Sequence, residues 1–175
     1  MNQVSQASQL IALARDVASA TIDFQSVKGP GAGDHATGAF MRALRERATE
    51  EFGKDFSEKR LCGETSLAVD FYLPDESTII EVALGLPNPA SEYEKDILKA
   101  IMAQDCGFSV NRLVFISRAG ASKKCDQPGR SAMVRWALAK HHLTVEIHDL
   151  PGEPRGRLRV SRESPPAVGI ILPVP

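Results

Sequence analysis

Residues 66–84 read Ser66-Leu67-Ala68-Val69-Asp70-Phe71-Tyr72-Leu73-Pro74-Asp75-Glu76-Ser77-Thr78-Ile79-Ile80-Glu81-Val82-Ala83-Leu84. From Ser66 to Leu73 the chain alternates, with Leu67, Val69, Phe71 and Leu73 on one face and Ser66, Ala68, Asp70 and Tyr72 on the other. That period of two belongs to a strand with one buried face. Pro74-Asp75-Glu76-Ser77 is turn chemistry, since proline presets φ and short acidic residues tolerate the bend. Thr78 to Leu84 is then a second strand, rich in β-branched residues. A four-residue loop at 74–77 pairs Leu73 with Thr78, Tyr72 with Ile79 and Asp70 with Glu81. Directly opposed residues share a face, with Cβ atoms about 4.5–5.5 Å apart.

Two carboxylates so placed repel each other, and burial worsens the repulsion. A shared proton, a neighbouring cation or a bound metal would relieve it. Mg²⁺ is commonly held by one or two carboxylates together with water and substrate phosphate oxygens. A solvated sheet face would instead leave both acids as surface residues, and a one-residue register slip would separate them. The helices expected on either side of the hairpin favour a covered sheet.

Working outward, residues 8–24 read as a first helix that breaks at the loop Lys28-Gly29-Pro30-Gly31-Ala32-Gly33. That loop is no phosphate cradle, because no apolar strand precedes it and no Gly-Lys-Ser/Thr follows. Phe40, Met41, Leu44, Ala48 and Phe52 recur every three or four residues, which predicts a helix from Asp34 to Phe52 with Gly53 at its end. A short strand is expected at 58–63. After the hairpin, Ser91 and Glu94 have the spacing of a capping box for a third helix, with Ile97, Leu98, Ile101 and Met102 as its apolar stripe. Leu113-Val114-Phe115-Ile116-Ser117 reads as a strand buried on both faces. A polar loop over 118–129, a helix around Arg130–His141 and a strand at Leu143–Ile147 complete the order α-α-β-β-β-α-β-α-β. An antiparallel meander followed by crossovers implies an α/β fold with a mixed central sheet. Residues 1–150 form one expected domain, with its core at about 36–150. Residues 151–175 are a Pro/Arg-rich tail, in which Leu158-Arg159-Val160 could add an edge strand and Val168–Pro173 is apolar enough to dock.

The 175 residues are 43% hydrophobic and 25% charged, enough to bury a core without disulfides or metal staples. No run approaches the roughly 18 apolar residues of a membrane span. The first residues lack the basic and apolar regions of a secretory leader, and Cys62, Cys106 and Cys125 are odd in number. A reducing cytoplasm is therefore the expected location. The net charge of -1 hides an asymmetry: residues 1–110 carry 10 Lys and Arg against 17 Asp and Glu, and residues 111–175 carry 11 against 5. An acidic half beside a basic half suits a protein that holds a divalent cation and a polyanion together.

The strand–turn–strand bearing Asp70 and Glu81-Val82-Ala83, preceded by an acidic helix and followed by helix–strand–helix–strand, resembles the PD-(D/E)XK, or restriction-endonuclease-like, nuclease superfamily. The resemblance spans roughly residues 36–150. It implies a three-layer α/β/α sandwich and Mg²⁺-dependent hydrolysis of DNA phosphodiester bonds, with Mn²⁺ as a substitute. It makes Asp70 and Glu81 the metal ligands. The superfamily's strand lysine is Ala83 here, and members are known to move that lysine to the following helix. That helix offers Lys95 and Lys99. Lys95 is preferred because it lies at the edge of the apolar stripe, whereas Lys99 is expected to point outward. The superfamily often adds a glutamate from the helix before the sheet. Of Glu46, Glu50 and Glu51, only Glu51 falls on the core-facing side. Glu94 either closes its capping box or points into the site. Phosphate contacts are expected from Arg112, Arg118, Lys123, Lys124 and Arg130. A homodimer would suit cleavage of both strands of a duplex.

His141 and His142 are adjacent on a helix, so they diverge by about 100° and cannot share one ion. A helix C-terminus is reason enough for their presence. His35 reads as a loop or capping group, and Trp136 as a core residue. No nucleophile elbow supports a serine triad. A doubly wound small-molecule enzyme is disfavoured because the meander precedes any βαβ unit. The remaining competitor is an inactive nuclease-fold domain that binds nucleic acid or a protein partner.

Overall fold

The structure, a computed structural model, describes residues 4–21, 32–86 and 91–152. The elements are α1 (Gln6–Ala20), α2 (Ala32–Phe52), β1 (Ser57–Lys59), β2 (Val69–Leu73), β3 (Thr78–Val82), α3 (Ser91–Asp105), β4 (Arg112–Ser117), α4 (Ala121–Cys125), α5 (Pro128–His141) and β5 (Thr144–Asp149). The protein is mixed α/β, with one five-stranded sheet in the order β1-β2-β3-β4-β5. β1, β2 and β3 are antiparallel, and β3, β4 and β5 are parallel.

The hairpin closes in the expected register: Phe71 faces Ile80, Tyr72 faces Ile79 and Leu73 faces Thr78. Its connection is a single 3₁₀ turn, Pro74–Glu76, whose proline occupies the first turn where a missing N–H costs nothing. Ser77 leaves it in the left-handed region at φ 48°, and its N–H donates to the Pro74 carbonyl.

Alternation then sorts the apolar side chains into two clusters. Phe71, Leu73, Ile80, Val82, Val114 and Ile116 pack with Leu10, Ala14, Phe40 and Leu44 of α1 and α2. Ile79, Ala83, Leu113 and Phe115 pack with Tyr93, Ile97 and Ala100 of α3 and with Ala137 of α5. β3 and β4 are thus covered on both sides, which is why every residue of β3 is buried.

Several expectations need correction. The strand at 58–63 shrinks to Ser57–Lys59, and β2 begins at Val69 rather than Ser66. Between them Thr65 folds back, its hydroxyl and its N–H both donating to the Cys62 carbonyl. Val69 packs in the second cluster, not with Phe71. The polar loop at 118–129 contains the short helix α4, and Asp149 holds its start by accepting from Gly120 N–H, Ser122 N–H and the Ser122 hydroxyl. Trp136 is not in the core: it is 48% exposed, because α5 buries only Ala137 fully and turns the indole edge towards His141. α2 starts at Ala32, inside the expected Gly-rich loop, rather than at Asp34. Residues 28–31 of that loop, the Ser91 side chain, Leu158–Val160 and Val168–Pro173 lie outside what the structure describes.

Candidate active site

Asp70 and Glu81 stand one step past the last paired residues of the hairpin, where β2 and β3 begin to diverge. Asp70 spans the gap, its Oδ2 accepting from Val82 N–H at 2.8 Å. Both carboxylates line a cleft of about 500 Å³ at this end of the sheet. Its other walls are Thr37 from α2, the 82–85 segment, Glu92, Lys95, Asp96 and Lys99 from α3, and Arg118 just after β4. The expected juxtaposition therefore occurs.

The lysine that meets it is Lys99, not Lys95. Lys99 is 5% exposed and its ammonium lies 2.6 Å from Glu81 Oε1 and 2.8 Å from Asp96 Oδ1. It also donates to the Ala68 carbonyl at 3.0 Å, so its three N–H donors have three partners. Lys95 is exposed and only rims the cleft. The inversion follows from a misplaced apolar stripe. Tyr93, Ile97 and Ala100 are buried at the centre of the covered face, whereas Leu98 is 52% exposed. At about 100° per residue that centre puts Asp96 on the flank of the buried face, leaves Lys99 beyond it on the same side, and turns Lys95 furthest outward.

Electrostatics makes this cluster unusual. Burial pushes the Glu81 carboxyl well above its ordinary range, Asp70 and Asp96 push it further, and Lys99 pulls the other way. Burial also raises Asp96, against the Lys99 hydrogen bond. Burial would lower Lys99, but Glu81 and Asp96 outweigh it and hold the ammonium above its ordinary value. Apart from that ammonium, neither Glu81 Oε1 nor Asp96 Oδ1 has a hydrogen-bond partner among the described residues. Two buried acids thus share one cation.

The other expected members separate. Glu51 is exposed and lines a different depression with Asp75, Glu76 and Arg112, at the opposite end of the sheet. The expected core-facing orientation beside Phe40 and Leu44 is not met: those two are buried, whereas Glu51 in the last turn of α2 is exposed and lies near the other strand ends. What α2 brings to the site instead is Arg45, whose guanidinium pairs with Glu58 at 2.5 Å and reaches to 4.0 Å from Asp70. Glu94 lines an apolar groove with Ile97, Leu98, Ile101, Met133 and Trp136, away from the carboxylates. Ala83 packs in the apolar cluster of the α3-covered face, with its carbonyl accepting from the Ser117 hydroxyl.

Among the basic candidates, Arg118 forms part of the cleft wall, and Lys123 and Lys124 are exposed on α4, a few residues further on. Arg130 is half-buried, with its guanidinium over the Tyr93 ring. Arg112 is committed to a two-point pair with Glu146 and belongs to the far end of the sheet. His35 is exposed on α2, and His142 caps α5 in the left-handed region.

Asp96, Arg45 and Thr37 escaped the sequence reading. One signal was present: Glu92, Lys95, Asp96 and Lys99 fall at i, i+3, i+4 and i+7, a polar stripe along a helix that must pack on a sheet. Among the described residues, no helix is long and apolar enough to cross a membrane. Comparison with protein-family models, with curated proteins and with solved structures finds no match to this chain.

Proposed function

We propose that the protein is a metal-dependent nuclease that hydrolyses DNA phosphodiester bonds, built on a restriction-endonuclease-like three-layer α/β/α sandwich. The observation that carries this reading is the Lys99 ammonium, buried 2.6 Å from Glu81. It is the cation that Ala83 cannot supply, brought in from the helix that follows β3.

The donor set fits a hard divalent ion. Asp70 and Glu81 supply carboxylate oxygens at an open cleft, and Glu81 is a buried acid short of positive charge. Among the described residues, no three acidic, histidine or cysteine side chains stand together as a ready-made cage. Two carboxylates are enough for Mg²⁺ when water and substrate complete its shell. Asp70 and Glu81 would hold Mg²⁺ or Mn²⁺, which supplies charge stabilisation at the phosphate and a more acidic water. Lys99 would orient the water from its anchorage on Asp96 and the Ala68 carbonyl. Arg118 would meet a phosphate oxygen at the cleft wall, and Lys123 and Lys124 would track the DNA backbone beyond it. A two-fold homodimer would present two such centres to a duplex.

A second reading is favoured by one specific feature. The donors of Lys99 are all satisfied within the protein. The cluster is thus a neutralising device that an inactive binding domain could also keep.

Plasmid cleavage in Mg²⁺ and Mn²⁺ separates the two. Under the nuclease reading, Asp70→Ala and Lys99→Met each lower cleavage about a hundredfold or more. Wild-type protein that binds DNA but cuts nothing over a range of metals and substrates establishes the binding module. Cutting that survives Asp70→Ala removes the mechanism.

A further inference from the structure

We propose that Cys62 and Cys106 are a redox-active pair that closes reversibly into a disulfide, clasping the turn between β1 and β2 to the C-terminal end of α3. The two lie 44 positions apart in sequence but side by side in the fold. Cys62 is buried, and its Sγ donates to the Lys99 carbonyl in the middle of α3 at 3.4 Å. Cys106 is exposed. A Cβ placed on Gly63 would stand 3.3 Å from Cys106 Sγ, so that sulfur already rests against the backbone of the residue after Cys62. Gly63 has φ +64°, and a side chain there would be strained as well as crowded.

Both cysteines sit in firm turns. The Cys62 carbonyl accepts from Thr65 N–H and its hydroxyl. Cys106 is the last residue before a helix-terminating glycine: Gly107 at φ +87° donates to Gln104, and Phe108 N–H reaches back to Ala103. That is the double closure of a Schellman motif. A bond between the two sulfurs joins these two turns and requires Cys62 Sγ to leave the Lys99 carbonyl.

The division of labour follows from access. Burial raises the Cys62 thiol, and negative charge on nearby Cys106 and Glu81 raises it further, against Lys99. Cys62 is thus the protected partner. With a small disulfide such as oxidised glutathione, Cys106 Sγ attacks one sulfur and expels the first glutathione thiolate. Cys62 Sγ then attacks Cys106 Sγ, loses its proton to the solvent and expels the second. Two protein thiols are oxidised to one disulfide, and one glutathione disulfide is reduced to two thiols. Cys125, buried on α4 next to Arg130, takes no part.

The test is intact-mass and non-reducing peptide analysis of the full chain after exposure to oxidised glutathione, and it is independent of any nuclease activity. The expected product is lighter by about two mass units, for the two hydrogens lost. It contains a Cys62–Cys106 linked peptide, leaves Cys125 free to be alkylated, and reverts with dithiothreitol. Cys62→Ser stops at a glutathione adduct on Cys106, and Cys106→Ser stays unmodified at position 62. A wild-type chain that also stops at the Cys106 adduct, or that links two chains through Cys106, overturns the proposal.

Discussion

Glu81 concentrates the tension of the molecule in one side chain. It is an acid at 3% exposure, flanked by Asp70 and Asp96 and opposed by one shared ammonium. Replacing the carboxylate with the isosteric amide removes buried charge and repulsion together, so Glu81→Gln is expected to raise the thermal midpoint. The gain has a definite pH dependence. The folded Glu81 carboxyl titrates above its ordinary value of 4.5, so in the pH range between the two values the folded state holds a proton that the unfolded chain has lost. Wild-type stability from this group is therefore full below about pH 4.5 and falls as pH rises towards the folded value. The advantage of Glu81→Gln should be smallest near pH 4.5 and widen towards neutrality in paired denaturation curves. Lys99→Met acts in the opposite sense, because it strands two buried acids. A loss of about 3–5 kcal/mol is expected, readable by urea denaturation. If Lys99→Met is instead neutral, the acids are not ionised in the fold.

At the scale of the element, α1 is held by a residue far along the chain. Glu76, in the 3₁₀ turn of the hairpin, accepts from Gln6 N–H at 2.5 Å and from Ala7 N–H at 3.1 Å, filling the first turn of α1 with negative charge. Ser5 adds the local cap, its Oγ accepting from Ser8 N–H. Glu76→Ala should cost about 1.5–3 kcal/mol, and hydrogen exchange should show the loss concentrated in the amides of the first turn of α1. Ser5→Ala should cost about 1 kcal/mol at the same end. Equal loss of protection across the sheet would mean that α1 does not open separately. The element scale is also where the reading of α3 went astray. Its buried face is carried by Tyr93, Ile97 and Ala100, with Ala103 and the acid–base pair on one side. The more apolar Leu98 is left in a groove with Trp136. A stripe ranked by hydropathy alone turns such a helix by about one residue, because small alanines count for little in hydropathy and much in close packing.

For the molecule as a whole, the ends of one sheet have different chemistry. One end gathers Asp70, Glu81, Asp96, Lys99 and Arg118 around an open cleft. The other holds Glu51, Asp75, Glu76 and Arg112, much of it spent on capping α1 and on the Arg112–Glu146 pair. If the proposed DNA surface runs from the first end along α4, replacing both Lys123 and Lys124 by alanine should weaken binding similarly for all sequences. It should also reduce the slope of log affinity against log salt by about two, one for each lost phosphate contact. An unchanged slope in a fluorescence-anisotropy titration would place the DNA elsewhere.

What could be read along the chain was whatever repeats with a short period. Alternation around Asp70 and Glu81, a four-residue turn and the spacing of Phe40, Leu44 and Ala48 are local patterns, and they sufficed for the α/β class, the hairpin register and the meeting of the two acids. Which lysine arrives, which acid joins and which does not depend on how α2 and α3 lie across the sheet. A helix angle places a residue only relative to an assumed stripe, and it misplaced both Glu51, which is exposed rather than core-facing, and Lys95, which points outward where Lys99 is buried. Their distance from the cleft is set by where each helix begins and ends against the strands, a quantity to which residues far apart in sequence contribute. Packing therefore chose Lys99 and Asp96, and it brought Cys62 to Cys106, where spacing along the chain carries no trace of the encounter.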